Sequence, residues 1–264
     1  MIFSWFKTRR RRTILEQPFP ADWEPWLAKR VPHHSALSEG EKSQLRNLVQ
    51  VFVAEKHWEG CRGLTVTDEM RVTIAGQACL LLLGIDHDHF SNVKTILIYP
   101  RHFVPRGDDG MDEAGVVHES DDPALGLAWE NGPVILSWAD SWIGGRNQHD
   151  GVNVVLHEFA HKLDWKNGVV DGLPPLKQPE QYARWAEVMQ REFDELVKKS
   201  EQEEATLLDD YGATDPAEFF AVAVECFFEK PLQLLRKHAD LYEVLRDYFR
   251  QDPAARLDGV KASD

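Results

Sequence analysis

Hydrophobic positions divide the chain into stretches of helical period, short runs of strand character and one long polar interval. Between Pro18 and Pro32, Trp23, Trp26 and Leu27 predict a packed arm with a short helix. Ser38-Glu39-Gly40-Glu41 supplies an N-cap with a glutamate at the third helical position. Leu45, Leu48, Val49, Phe52 and Val53 continue it as an apolar helical face. Leu64-Thr65-Val66-Thr67 alternates and predicts a strand. Residues 70–83 are apolar at helical spacing, and 93–100 predict a second strand. Gly132-Pro133-Val134-Ile135-Leu136-Ser137-Trp138 predicts a third, with its proline where a strand start or sheet edge tolerates one.

Apolar residues at 152, 155, 156, 159, 160 and 163 mark a further helix, with Asp150 as its expected N-cap and Gly168 as its stop. Helices over about 181–204, 215–229 and 238–250 follow. The pattern predicts an α+β fold: a small mixed sheet, one amphipathic helix after it, and a largely helical C-terminal lobe. A single domain in two lobes is expected over 18–255, between a basic, disordered tail at 1–17 and a C-terminal tail at 256–264. Residues 105–131 read as a long acidic connection, rich in Asp, Gly and Pro.

Composition narrows the classes. The 264 residues are 43% hydrophobic and 28% charged, which suits a globular core. A net charge of −14 opposes nonspecific nucleic-acid binding, because a polyanion would be repelled. Cys61, Cys79 and Cys226 are too few and too scattered for a disulfide framework, so a cytoplasmic setting is expected. No window approaches the roughly 20 apolar residues of a membrane span. Residues 1–12 mix aromatics with arginines, so weak peripheral attachment to an anionic surface stands beside the disordered-tail reading.

The helix over 152–163 carries His157-Glu158-Phe159-Ala160-His161. Residues four apart on a helix share a face, with Cβ atoms roughly 5–6 Å apart. Two imidazoles so placed can reach one metal ion at about 2.0–2.1 Å each. Glu158 projects beside them, where it can accept a proton from water at that metal. This is the H-E-x-x-H pattern of zinc peptidases, and the amphipathic helix around it separates it from a chance histidine pair.

A catalytic zinc takes three protein ligands and keeps one position open. A third histidine in metzincin spacing is absent, because Asp164 and Asn167 stand where its glycine and histidine would fall. Downstream, Asp215 suits an N-cap and Pro216 a first helical residue, which places Glu218 in the first turn. By spacing alone Glu218 is either the third ligand or one half of a capping box on Asp215. Glu225, seven residues on, is either a group that orients a ligand or a solvated carboxylate.

These segments resemble a known family. His157 through Asp164, Gly132 through Trp138, and Tyr211 through Ala221, with its Asp-Pro-Ala-Glu block, are similar to the Mlc titration factor A family. Its members are bacterial cytosolic zinc metallopeptidases related to the catalytic domain of anthrax lethal factor. The similarity spans roughly 18–255. It implies a zincin-like domain holding one Zn2+ on His157, His161 and Glu218, with Glu158 as general base. It implies Tyr211 near the metal, able to stabilise an oxyanion; without it Tyr211 would equally suit a packed loop aromatic. It also implies aminopeptidase-like activity and binding to the glucose-responsive repressor Mlc. The arginine-rich start and the acidic 105–131 loop depart from the family.

The expected function is therefore zinc-dependent hydrolysis of peptides, with Asp164 and Glu225 behind the ligands. Asp164, short and three residues past His161, suits orientation of an imidazole. Val134, Ile135, Leu136, Ser137 and Trp138 would form an edge against which an extended peptide pairs. The rival is a non-catalytic protein that captures a repressor and keeps a structural or vestigial zinc site; an intact Glu158 counts against it.

Overall fold

The computed structural model describes residues 2–101, 132–147 and 150–261; the acidic connection over 105–131 lies outside them. Helix α1 (Ile2–Leu15) comes first, then α2 (Glu24–Arg30), α3 (Glu39–Glu55), β1 (His57–Gly60) and α4 (Asp68–Leu80). Strands β2 (Thr95–Tyr99) and β3 (Val134–Ser137) follow, with α5 (Trp138–Gly144) directly after β3. The remaining elements are helical: α6 (Val154–Asp164), α7 (Pro179–Glu201), α8 (Pro216–Glu229), α9 (Pro231–Lys237), α10 (Ala239–Phe249) and α11 (Pro253–Lys261). The α+β expectation and the helical C-terminal half agree with this order.

The sheet is parallel throughout rather than mixed, in the order β1-β2-β3. Trp58 pairs with Ile96, Ile96 with Val134, and Ile98 with Leu136. Parallel strands need crossovers and cover on both faces. Accordingly all four β3 residues are buried, and β3 packs on α6. Trp138, expected within that strand, opens α5 instead, because the Ser137 side chain accepts the Asp140 N–H and caps the helix there.

Leu64–Thr67 is not a strand, contrary to the alternation. Arg62 and Gly63 adopt positive φ (51° and 79°) and reverse the chain, so Leu64 returns to donate its N–H to Cys61 O. The segment then ends at Thr67, whose side chain caps α4. The strand lies just before the turn, at His57–Gly60.

Among the described residues, α1 and α11 are helices where tails were expected. Arg11 on α1 donates from Nε and Nη2 to the two Glu55 oxygens, each at 2.8 Å, and from Nη1 to Asp88 at 2.5 Å. Burial raises the Glu55 carboxyl, but the hydrogen bonds and charge of Arg11 hold it below its ordinary range. At the other end, Arg256 on α11 donates from Nε to Glu41 at 3.0 Å, tying the C-terminus to the start of α3. Sequence pattern missed both because these contacts cross 44 and 215 residues.

One hydrophobic cluster runs from Leu27 to Ala254. Phe159 of α6 sits 5.6 Å from Phe52 of α3 and 4.7 Å from Phe90, edge-on in both cases. This triad fixes the buried side of α6, and its opposite side faces α8. Helix α8 is buried at every position from Ala217 to Glu229 except Glu218. A helix covered all round has no solvated face on which to place a carboxylate.

Candidate metal centre

Helix α6 begins at Asn153, not at Asp150. The Asn153 Oδ1 accepts the N–H groups of Val155 (3.2 Å) and Leu156 (3.1 Å), satisfying donors that a helix start leaves open. The helix closes in a 3-10 turn at Trp165–Asn167, with Gly168 at φ 92° as the expected stop. Between these ends His157 is buried, while His161 and Glu158 are part-exposed. The two imidazole rings stand 4.9 Å apart, and their Nε2 atoms 3.2 Å.

Helix α8 brings the third group. Asp215 Oδ1 accepts the N–H of Ala217 (2.8 Å) and Glu218 (2.9 Å), and Pro216 sits in the first turn, as the sequence predicted. The Glu218 side chain is turned to the histidines: its Oε2 lies 2.9 Å from His157 Nε2 and 3.4 Å from His161 Nε2. Among the described residues, these three side chains converge closely enough to hold a metal ion.

The geometry fits such an ion. Donors placed about 2.0–2.1 Å from a tetrahedral centre lie roughly 3.3–3.4 Å from each other. The separations here are 2.9, 3.2 and 3.4 Å. Glu218 Oε2 is buried with no well-directed hydrogen bond among the described residues, despite its two close nitrogens. A buried acceptor left so is costly unless a cation completes it. Two ring nitrogens and a carboxylate oxygen are a donor set suited to a divalent transition metal.

Electrostatics points the same way. Burial disfavours charge on His157, yet the Glu225 charge and the close carboxylates of Glu218 and Glu225 hold its pKa well above the ordinary value. Burial would raise Glu218, but the two imidazoles outweigh it and hold that carboxyl far below its usual range. The pocket of potential is negative and favours positive charge between these groups.

Glu225 is buried rather than solvated. Its Oε2 lies 2.9 Å from His157 Nδ1, and its Oε1 accepts the Asn153 N–H at 2.5 Å. Burial raises the Glu225 carboxyl, and the facing carboxylates outweigh burial at His157 and raise it. A metal taken at Nε2 needs that nitrogen free of its proton, the state that leaves the one ring proton on Nδ1, facing Glu225.

Asp164 was expected to orient an imidazole. It is buried and instead accepts the Gly172 N–H on Oδ2 at 2.7 Å, while His161 Nδ1 has no hydrogen-bond partner among the described residues. Gly172 is required there: at φ 75°, a Cβ on it would meet Pro216 O at 2.4 Å. Burial raises the Asp164 carboxyl to about 6. Tyr211 lies on the 3-10 turn Asp210–Ala213, with its ring 6.0 Å from that of His157. Val134–Ser137 lies against α6, and β3 has no second strand partner among the described residues.

Sequence reasoning missed Asn153, Gly172 and Glu229. Two signals pointed to the polar pair: an asparagine directly before an apolar helical run, and glutamates at 218, 225 and 229 on one helical face.

Comparison with known proteins agrees with this geometry. Residues 5–250 match the family model described as glucose-regulated metallo-peptidase M90. The chain is 38% identical over 246 residues to an uncharacterized protein of Synechocystis sp., covering 92% of this chain and 89% of that one. It is 33% identical over 247 residues to Mlc titration factor A of Serratia proteamaculans, covering 92% of each. Against Mlc titration factor A of Escherichia coli O1:K1 the identity is 32% over 246 residues, covering 91% of each. With the match spanning nearly the whole chain and both histidines and Glu218 inside it, the chain belongs to the glucose-regulated metallopeptidase family M90.

Proposed function

We propose that this chain is a zinc-dependent peptidase of zincin-like design, with His157, His161 and Glu218 as metal ligands and Glu158 as general base. The observation that carries the reading is the convergence of the two α6 nitrogens and the α8 carboxylate within 3.4 Å of one another. Zinc bound by His157, His161 and Glu218 would supply Lewis acidity for a peptide carbonyl and lower the pKa of a water toward neutral. Glu158, on the same helix and part-exposed, accepts that water's proton and returns it to the leaving amine. Tyr211, beside the His157 ring, donates its hydroxyl to the developing oxyanion. Glu225 keeps His157 in the tautomer that presents Nε2. The β3 edge offers backbone groups to an extended peptide, and cleavage from the amino terminus is the mode we infer. No helix of the described residues is long and apolar enough to cross a membrane.

The test is hydrolysis of short peptides with and without a chelator, with zinc content measured alongside. About one zinc per chain and chelator-sensitive cleavage are expected. Glu158→Gln keeps the metal but removes the base, so hydrolysis drops roughly 100-fold or more while zinc stays. Undiminished turnover in that variant would show that another group activates the water.

A second reading draws on the relatives named Mlc titration factor A. In it the chain binds a Mlc-like repressor. Repressor capture by chelator-treated protein that cleaves no peptide before treatment would favour this reading over the peptidase.

A further inference from the structure

Helix α8 carries a third glutamate, buried, that the metal site does not use directly. Glu229 lies eleven residues after Glu218 and four after Glu225, on the same helical face. It is 1% exposed. Its Oε1 accepts the Asn153 Nδ2–H at 3.0 Å, and its Oε2 accepts the Gly151 N–H at 3.2 Å. Gly151 has φ 81°, a conformation that brings its amide to this carboxyl and that other residues adopt with strain.

Asn153 is thus committed at every polar group. Oδ1 caps α6, Nδ2 goes to Glu229, and the backbone N–H goes to Glu225. Its carbonyl completes the set by accepting the His157 N–H at 3.0 Å. The residue therefore joins the first turn of α6 to two glutamates of α8, one of which also holds His157 Nδ1. His157 and Glu218 stand on different helices, so their separation depends on how α6 is set against α8. No other asparagine side chain in the described structure spans these two helices.

We propose that Asn153, through its bond to Glu229, is a positioning residue that sets the start of α6 against α8 and thereby the distance between His157 and Glu218. The inference rests on the metal reading above. It adds that the asparagine amide, beyond its capping oxygen, tunes the metal site. Burial pushes the Glu229 carboxyl up to about 9, which suits a neutral group in this polar but dry contact.

The decisive variant is Asn153→Ser. Serine caps a helix about as well as asparagine, so the cap survives while the Glu229 bond is lost. Cobalt(II) serves as the probe, because its visible spectrum reports donor geometry without any turnover. Expected is a cobalt and zinc affinity about 10–100-fold weaker than in the unsubstituted protein, the range for loss of a group supporting a ligand. A shifted cobalt spectrum and a near-native far-UV circular dichroism signal should accompany it. Glu229→Ala should weaken binding in the same direction. The double variant should be no worse than the more affected single one, since both break one contact.

Affinity within twofold of the unsubstituted protein and an unchanged cobalt spectrum in Asn153→Ser would overturn the inference, leaving the metal site standing. Additive losses in the double variant would also overturn it. Failure of the unsubstituted protein to bind cobalt or zinc would overturn the metal reading itself, and this inference with it. Should Glu229→Ala not fold, Asn153→Ser decides alone.

Discussion

Glu225 Oε2 and His157 Nδ1 lie 2.9 Å apart, and on the far side of the same imidazole Nε2 lies 2.9 Å from Glu218. One ring is thus held between two carboxylates of one helix. The inner one faces Nδ1, and the outer one faces Nε2, the nitrogen proposed to bind metal.

This arrangement separates the two glutamates experimentally. Glu225→Ala leaves His157 Nδ1 and the Asn153 N–H buried without their acceptor. Zinc affinity should fall about 10–100-fold, the effect of losing a ligand's orienting partner. Stability should fall by about 1–3 kcal/mol as well, from the unpaired donors. A zinc titration against a competing chelator, followed by a urea melt, checks both. Unchanged affinity would mean that the ring holds its tautomer without Glu225.

The N-terminal helix gives a prediction that sequence pattern opposed. Arg11 is largely buried and forked onto Glu55, with a third bond to Asp88. Charge-assisted bonds of this kind are worth more than exposed pairs. Arg11→Ala should lower stability by about 1–3 kcal/mol, and Arg11→Lys should recover little, because an ammonium cannot make the forked contact. Amide hydrogen exchange over residues 6–15 should be slow in the native chain and fast in Arg11→Ala. Equally fast exchange in both would restore the picture of a loose tail.

What was legible in the sequence follows the range of each contact. The Ser38–Glu41 capping box and the Asp215-Pro216 start of α8 are local, and both stand where the pattern placed them. The H-E-x-x-H spacing needs only helical geometry, so its two histidines meet as expected. Choosing the N-cap of α6 failed because Asp150 and Asn153 are both good caps, and the choice falls to Glu229, 76 residues away. Glu225 stood open between orienting a ligand and meeting water, because a lone glutamate on a helix usually meets water. The nearly unbroken apolar run from Ala217 to Phe228 is the local sign that α8 is covered on all sides. Leu64–Thr67 alternates like a strand, but the turn at Arg62 and Gly63 takes it out of the sheet.

Buried carboxyls also set a pH dependence in the metal-stripped protein. Glu229 is raised from 4.5 to about 9 by burial. A carboxyl raised in the fold keeps its proton where the unfolded chain has lost it. Its stabilisation is complete below about pH 4.5 and is lost progressively as pH rises through about 9. Asp164, raised to about 6, contributes with the same sign at lower pH. Thermal melts of chelator-treated protein should therefore show a Glu229 contribution that declines between pH 5 and pH 9, by up to about 1.4 kcal/mol per pH unit for one full proton, set against the opposite, lower-pH trend of His87 and His89, whose pKa values burial lowers to about 3 and about 4. Glu229→Gln should flatten the upper part of that decline. A pH profile that is the same in Glu229→Gln and the unsubstituted protein would mean that Glu229 is ionised in the fold.

Asp164 and Glu218 are the two carboxylates most easily confused as the third ligand, and the structure gives them different work. Glu218 Oε2 lies 2.9 and 3.4 Å from the two ring nitrogens. Asp164 turns away to the Gly172 amide and so anchors the loop that passes over the first turn of α8. Glu218→Ala should lose zinc by about 100-fold or more, since one of three ligands is gone. Asp164→Ala should keep zinc within a few-fold and instead cost about 1–3 kcal/mol of stability, because it strands a buried N–H. Paired zinc titrations and urea melts on the two variants separate these effects. Loss of zinc in Asp164→Ala with the fold intact would move the third bond to Asp164 and undo the assignment of Glu218.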